Sequence, residues 1–336
     1  MMISENFNLK DYNTFGLSGT TSLFAGISSE QELIDLIDSG HTREHQTLIL
    51  GGGSNMLFTR NFEGLIIHPE IDGIAPGRAS GGKIPVTAGA GVVWDDFVAW
   101  AVANGLGGTE NLSLIPGQTG ATAVQNIGAY GAEASEIIDR VNSVELLTGR
   151  KYTFTNQECR FGYRESIFKT ELKGRHLITS VTFSLSTEPK YTLNYGNLMS
   201  EVESRGKVSL QTIREAVIAI RQSKLPDPVV TGNAGSFFKN PVIPENQALE
   251  MTKTYPEMPR YPSGEGKVKL AAGWLIEKCG WKGYRTGDAG VHDKQALVLV
   301  NHGKATGDEI FELSEQIRQG VLQRFGVSLE REVEVI

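Results

Sequence analysis

Three side chains in this 336-residue chain have types and settings that could carry chemistry. Arg164 stands in Arg160-Phe161-Gly162-Tyr163-Arg164-Glu165-Ser166, where a planar guanidinium can grip a carboxylate with two parallel hydrogen bonds. A surface ion pair is the commoner fate of an arginine. Ser236 lies in Gly232-Asn233-Ala234-Gly235-Ser236-Phe237-Phe238-Lys239-Asn240-Pro241, bracketed by small residues and followed by two aromatics. A serine hydroxyl needs positioning and a dry neighbourhood to serve as acid or nucleophile, and otherwise it is an ordinary turn residue. Glu332 alternates with Glu330 and Glu334 opposite Val327, Leu329, Val333 and Val335, as on one terminal strand. Such a carboxylate row is usually just solvated.

Two glycine-rich segments could hold a ligand for these groups. Gly51-Gly52-Gly53-Ser54-Asn55 follows a short apolar run, and glycines let backbone N–H groups curl round an anion without Cβ obstruction. A tight turn needing positive φ explains a triplet equally well. From Gly105 to Gly131 there are seven glycines and one charged residue, Glu110, in 27 residues. This stretch includes Ile115-Pro116-Gly117-Gln118-Thr119-Gly120 and Gln125-Asn126-Ile127-Gly128-Ala129-Tyr130-Gly131. It cannot be regular helix or strand throughout, and it suits close main-chain approach to a flat, polyfunctional ligand. Neither GxGxxG spacing nor a Walker A loop is present, which excludes those two nucleotide fingerprints. No HxxH-type pair or metal-ligand cluster is evident among the six histidines, and no serine sits in GxSxG, so neither a metal nor a hydrolase triad is expected.

The elements that must carry these residues read as α+β. Ser29 to Ser39 is a capped helix, Thr47 to Leu50 a buried strand and Val92 to Asn104 a helix ended by Gly105. Val141 to Leu147 and Lys151 to Phe154 flank a hairpin turn, and His176 to Ser186 is a long strand. Gln211 to Ser223 is a helix broken by Lys224-Leu225-Pro226-Asp227-Pro228. Thr306 and Glu309 form a capping box opening a helix to Phe325. A domain junction is expected between residues 200 and 212.

Composition narrows the class. Hydrophobic residues at 40% and charged residues at 21% are ordinary globular usage. A net charge of −7 without a basic block argues against a nucleic-acid backbone or an anionic membrane as partner, and no obligate protein partner is evident. No apolar run approaches a membrane span, and the polar opening lacks a signal-peptide core. With only Cys159 and Cys279, far apart, a reducing cytoplasm is the expected compartment.

Taken together, Asn13-Thr14-Phe15-Gly16, Gly51 to Asn55, Ile115-Pro116-Gly117, Gln125 to Gly131, Tyr163-Arg164, Gly232 to Pro241 and Leu329-Glu330-Arg331-Glu332-Val333 resemble, in this order, the UDP-N-acetylenolpyruvoylglucosamine reductase family. The resemblance spans essentially the whole chain. It implies a two-part FAD domain of the vanillyl-alcohol-oxidase type and a smaller α+β substrate domain, here 1–70 and 71–208, then 209–336, an arrangement in which the final strand can return to the first part. Tyr195-Gly196-Asn197-Leu198 resembles the tyrosine loop of the family's type I branch.

By the same resemblance FAD is bound noncovalently by Gly51, Gly52, Gly53, Ser54, Asn55, Pro116, Gly117, Gly120, Gln125, Asn126, Gly128, Ala129, Tyr130 and Gly131. NADPH is the hydride donor, and UDP-N-acetylglucosamine enolpyruvate, contacted by Tyr195, Lys224 and Asn240, becomes UDP-N-acetylmuramate for peptidoglycan synthesis. Arg164 and Glu332 then flank the substrate carboxylate and Ser236 donates the proton. Gln118-Thr119 replaces the smaller residues usual in the family, and Glu165 replaces the commoner Asp. The alternatives are a related FAD-dependent oxidase and an inactive nucleotide-sugar-binding module.

Overall fold

The computed structural model describes residues 2–336 and divides them into two compact units. Unit 1 comprises residues up to Phe7, Thr20–Gly52 and Phe62–Ser223, and unit 2 comprises Asn8–Gly19, Gly53–Asn61 and Lys224–Ile336.

Unit 1 has two main sheets. In the first, Thr20–Ile27 and Thr47–Ile49 both run parallel to Phe62–Pro69, with Ile3–Asn8 at the edge. The helix Glu30–Asp38 covers it, burying Leu33, Leu36 and Ile37 against Ala25, Ile27, Leu65 and Ile67. Ser29 opens that helix by accepting from the Glu32 amide, a cap contributing about 1 kcal/mol. The second sheet is antiparallel, in the order Lys151–Thr155, Ile138–Glu145, His176–Ser186, Lys83–Gly89 and Ile74–Pro76. Its central strand lies beside the helix Trp94–Ala103 through Phe183, whose ring is 4.7 Å from Phe97 and 5.6 Å from Trp94. The Trp94 indole is fully buried but satisfied, donating to the Leu112 carbonyl at 2.9 Å.

The junction falls after Ser223, later than the 200–212 expected from sequence. The helix Leu210–Lys224 explains the difference. Its stripe of Ile213, Ala216, Val217 and Ile220 packs on Leu198 and Val202 of the preceding helix Leu198–Glu203, which ties it to what comes before.

In unit 2 an antiparallel sheet is ordered Gly232–Ser236, Val298–Asn301, Ala289–Val291, Arg285–Thr286. A second sheet holds Val242–Pro244, Lys267–Leu270 and Arg260–Pro262. The helix Gly307–Phe325 carries both halves of the expected capping box, and Gly326 ends it at φ +64°. The final segment is not one strand from Val327 onward. Arg331 makes an isolated antiparallel bridge with Phe238 and Glu334–Val335 runs parallel to Met56–Leu57, while Val327, Leu329 and Val333 are buried as the alternation required. Among the described residues no helix is long and apolar enough to cross a membrane.

Candidate active site

In unit 1 the fold brings two of the glycine segments together. A Cβ on Gly52 would stand 3.2 Å from the Gly117 Cα, and one on Gly51 would stand 3.0 Å from Gln118 Oε1. Backbone therefore approaches backbone where a side chain would intrude. Gly117 itself has φ +120°, a conformation that favours glycine. Gln118 anchors the arrangement by donating from Nε2 to the Pro69 carbonyl at 3.1 Å, while its Oε1 is sealed from solvent with no donor among the described residues. A cradle that a Cβ would fill, beside an orphaned buried acceptor, fits a flavin dinucleotide, which offers a flat face and N–H and O–H donors. Gly120 has a different reason to be glycine: its Cβ would lie 2.8 Å from Ala90 Cβ, and its amide is taken by the Ala90 carbonyl.

Arg164 is held in a tight turn in which Gly162 and Glu165 exchange backbone hydrogen bonds of 3.0 and 3.2 Å. Its φ is +56°, a left-handed conformation costing an ordinary residue about 1–2 kcal/mol. Its guanidinium donates to the Asn126 carbonyl at 3.3 Å and the Gly128 carbonyl at 2.5 Å, and lies 5.2 Å from the Tyr163 ring centroid. A Cβ on Gly128 would fall 2.8 Å from Arg164 Nη1 and 3.0 Å from the Ala132 carbonyl oxygen, so a larger residue would displace the guanidinium. Asn126 is buried and its side chain is occupied: Nδ2 donates to the Gly162 carbonyl and to Glu133, and Oδ1 accepts from the Ser135 amide. It fixes the arginine turn, and its backbone is engaged too, the amide donating to the Thr122 carbonyl and the carbonyl accepting from Arg164. Gln125 accepts from Lys169 Nζ, which also reaches the Arg164 carbonyl. Ala129 opens the small hairpin that ends at Ala132–Glu133.

Tyr130, at φ +48°, meets Tyr195 edge to face with ring centroids 5.9 Å apart. Tyr195 is half exposed. Gly131 leaves room for this loop, since its Cβ would be 3.3 Å from Thr192 Cγ2. Asn111, which the sequence reading missed, clamps the two segments by donating to the carbonyls of Tyr130 at 2.8 Å and Thr192 at 2.7 Å. Its only sequence signal is a polar residue where the loop has to be buried. Glu110 beside it is buried, which pushes its carboxyl above the ordinary 4.5, with the Gly108 amide donating to it as a smaller opposing effect. A carboxyl raised in the folded state binds its proton more tightly there. Stability is therefore fullest below the unfolded value and declines as pH rises through the folded one. Glu110→Gln keeps an acceptor for Gly108 and is expected to flatten that decline, seen by chemical denaturation across acidic to neutral pH. An unchanged slope would contradict it.

In unit 2, Gly53 has φ +59°, and a Cβ there would fall 2.1 Å from the Tyr12 carbonyl. Its own carbonyl accepts from Thr14, whose hydroxyl also donates to the Asn233 carbonyl at 2.6 Å. Thr14 thus links the Gly53-Ser54-Asn55 part of the glycine motif to the strand carrying Ser236. That strand is irregular between Asn233 and Ser236, with Gly235 at φ +66° and its amide on Asn233 Oδ1, a bulge that re-aims the following side chain. Glu332 lies alongside: its amide donates to the Phe237 carbonyl at 2.9 Å, and Asn55 Nδ2 donates to the Glu332 carbonyl at 3.0 Å. Ser236 and Glu332 are therefore near neighbours, with Asn55 fixing the second.

Lys224 is exposed at the end of its helix. Asn240 accepts from the Ala272 amide at 3.0 Å, at the start of the helix Ala272–Lys278. Among the described residues one grouping of histidine and glutamate side chains lies close together. His41, Glu44 and His45 each place a ligand atom within 4.8 Å of the others, on a four-residue helical turn. A search for HxxH spacing passes over this arrangement.

Residues 227–336 match the family model described as UDP-N-acetylenolpyruvoylglucosamine reductase, C-terminal domain, and residues 21–151 match that of an FAD binding domain. Proteins named UDP-N-acetylenolpyruvoylglucosamine reductase are similar throughout. That of Chromobacterium violaceum is 49% identical, covering 97% of this chain and 96% of its own, and that of Flavobacterium johnsoniae is 46% identical over 100% of both. The crystal structure of the Thermus caldophilus reductase superposes with a TM-score of 0.68 at 24% identity, covering 99% of this chain and 98% of that one, which supports the fold. With identity of this order along its full length, an FAD-binding domain and the family's own C-terminal domain, the chain belongs to the UDP-N-acetylenolpyruvoylglucosamine reductase family.

Proposed function

We propose that the protein is an NADPH-dependent flavoprotein that reduces UDP-N-acetylglucosamine enolpyruvate to UDP-N-acetylmuramate in the cytoplasm, with Arg164, Ser236 and Glu332 as its catalytic residues. What supports the residue roles is the backbone around Ser236, where an irregular strand leads into Phe237, whose carbonyl accepts from the Glu332 amide at 2.9 Å. FAD, when bound, supplies hydride chemistry, and Gly51, Gly52, Pro116, Gly117 and Gln118 are the residues that would hold it.

The protein's own work is to manage charge. Reduction of an alkene conjugated to a carboxylate builds negative charge on that carboxylate and then requires a proton at the carbon bearing it. Arg164 offers a preoriented fork for the charge, a contribution of about 3 kcal/mol for a well-placed donor. Ser236 hands over the proton. Glu332 helps by positioning a donor or by carrying a proton itself, because a bare carboxylate would oppose the developing charge.

Tyr195 and Lys224 serve the nucleotide sugar, so Tyr195→Phe and Lys224→Ala are expected to weaken its binding more than they slow reduction by NADPH. Stopped-flow measurement of the two half-reactions checks this. Equal damage to both would remove these residues from the substrate site.

A further inference from the structure

The helix Leu210–Lys224 carries Arg214 and Arg221 seven residues apart, on one face by helical geometry, and the fold uses them differently. Arg214 is fully committed, forking onto Asp95 at 2.7 and 2.8 Å. Asp95 also accepts from the Leu114 amide at 2.5 Å. Arg221 forms no hydrogen bond and no ion pair among the described residues, and its Nε is sealed from solvent with no acceptor. An arginine remains protonated at any ordinary pH. This corner of unit 1 therefore holds two guanidinium charges against one carboxylate that is already paired.

Burial works against the Arg221 charge, and Tyr130 and Asp95 are the ionisable groups whose own charges would favour it. Tyr130 packs against the same helix, on the cluster of Leu198, Val202, Ile213, Val217 and Ile220. Tyr130 and Leu114 are also left-handed residues of the loop between Gly105 and Gly131, at φ +48° and +58°. A half-buried, unpaired guanidinium costs stability unless something outside the chain pairs with it.

We infer that Arg221 is an anion-binding residue of unit 1, whose guanidinium takes an oxyanion of a bound nucleotide. The inference rests on the reading that unit 1 binds FAD and that nucleotide substrates reach it. Two sources supply this chemistry, the FAD itself and the nucleotide of NADPH or of the UDP-sugar.

The two roles open to Arg221 move stability in opposite directions. If its partner is a ligand, replacing it with an apolar chain of similar length relieves the ligand-free protein of an unpaired charge. If it is structural, the same change damages the fold. The experiment compares the parent, Arg221→Met and Arg221→Lys as full chains. It measures thermal stability after removal of FAD, the affinity of that apoprotein for FAD, and the affinity of the holoprotein for NADP⁺ and UDP-N-acetylglucosamine.

Arg221→Met is expected to keep or raise the apoprotein's melting temperature while weakening at least one of the three affinities tenfold or more, with Arg221→Lys intermediate. The weakened arm identifies the source. Three affinities within twofold of the parent's would overturn the inference, as would an Arg221→Met apoprotein that melts several degrees lower or does not fold. A parent that takes up no FAD would count against the proposed function, and Arg221 would still be judged by apoprotein stability and the nucleotide arm.

Discussion

Ser236→Ala is expected to bind FAD and to be reduced by NADPH at the parent rate, yet to slow by about 10²- to 10⁴-fold when reduced enzyme meets the enolpyruvyl substrate. The substitution removes a donor and little volume. Neither flavin binding nor hydride transfer from NADPH needs the serine proton, so the defect is confined to one half-reaction. Its backbone setting survives, because the bulge is maintained by Gly235 and by Asn233 Oδ1. Ser236→Cys should regain part of the lost rate, since a thiol also carries a transferable proton. If the alanine variant is reoxidised at the parent rate, Ser236 is only a turn residue and the proton comes from elsewhere.

Arg164→Ala is expected to lower the same substrate step by about 10²-fold or more, in line with loss of one preorganised donor to a developing oxyanion. Here a structural cost is superimposed. The guanidinium also ties the carbonyls of Asn126 and Gly128, and the residue sits at φ +56°. Two further variants separate the effects. Arg164→Gly loses the same contacts but accepts the left-handed backbone, so it should be about 1 kcal/mol more stable than Arg164→Ala without regaining activity. Arg164→Lys keeps the charge and loses the planar fork, and should recover binding more than turnover. An Arg164→Gly variant that is as active as the parent would confine Arg164 to a structural role.

What could be read from the sequence was local. Ser29 before an apolar stripe and Thr306 with Glu309 announce helix starts that need nothing from the rest of the chain, and both caps form. The α+β class and the FAD-binding domain also agree with the family matches. What escaped depends on partners far along the chain. The polar and apolar alternation near the C-terminus reads as one strand, but it is paired in two separate places, Arg331 with Phe238 and Glu334–Val335 with Met56–Leu57, so the pattern reports burial and not one continuous ladder. The domain junction was misplaced because the chain's proline break, not the loop before the helix, marks the boundary.

The site shows the same limit. A glycine list cannot say that Gly120 makes room for Ala90 whereas Gly52 lets Gly117 approach, since each reason lies in a residue distant in sequence. Asn126 looks like a cofactor ligand within its motif, and only the fold reveals a side chain occupied by Gly162, Glu133 and Ser135. Asn111 and Arg221 carry no motif at all. Their importance comes from what surrounds them.

The central claim is tested most directly by following the purified protein's flavin spectrum under anaerobic conditions. The protein should be yellow, and acid precipitation should release all of the FAD into solution. NADPH should bleach the intact protein, and stoichiometric UDP-N-acetylglucosamine enolpyruvate should then restore the oxidised spectrum while UDP-N-acetylmuramate appears. A protein without flavin even after reconstitution, or one bleached by NADPH that only oxygen reoxidises, would contradict the account.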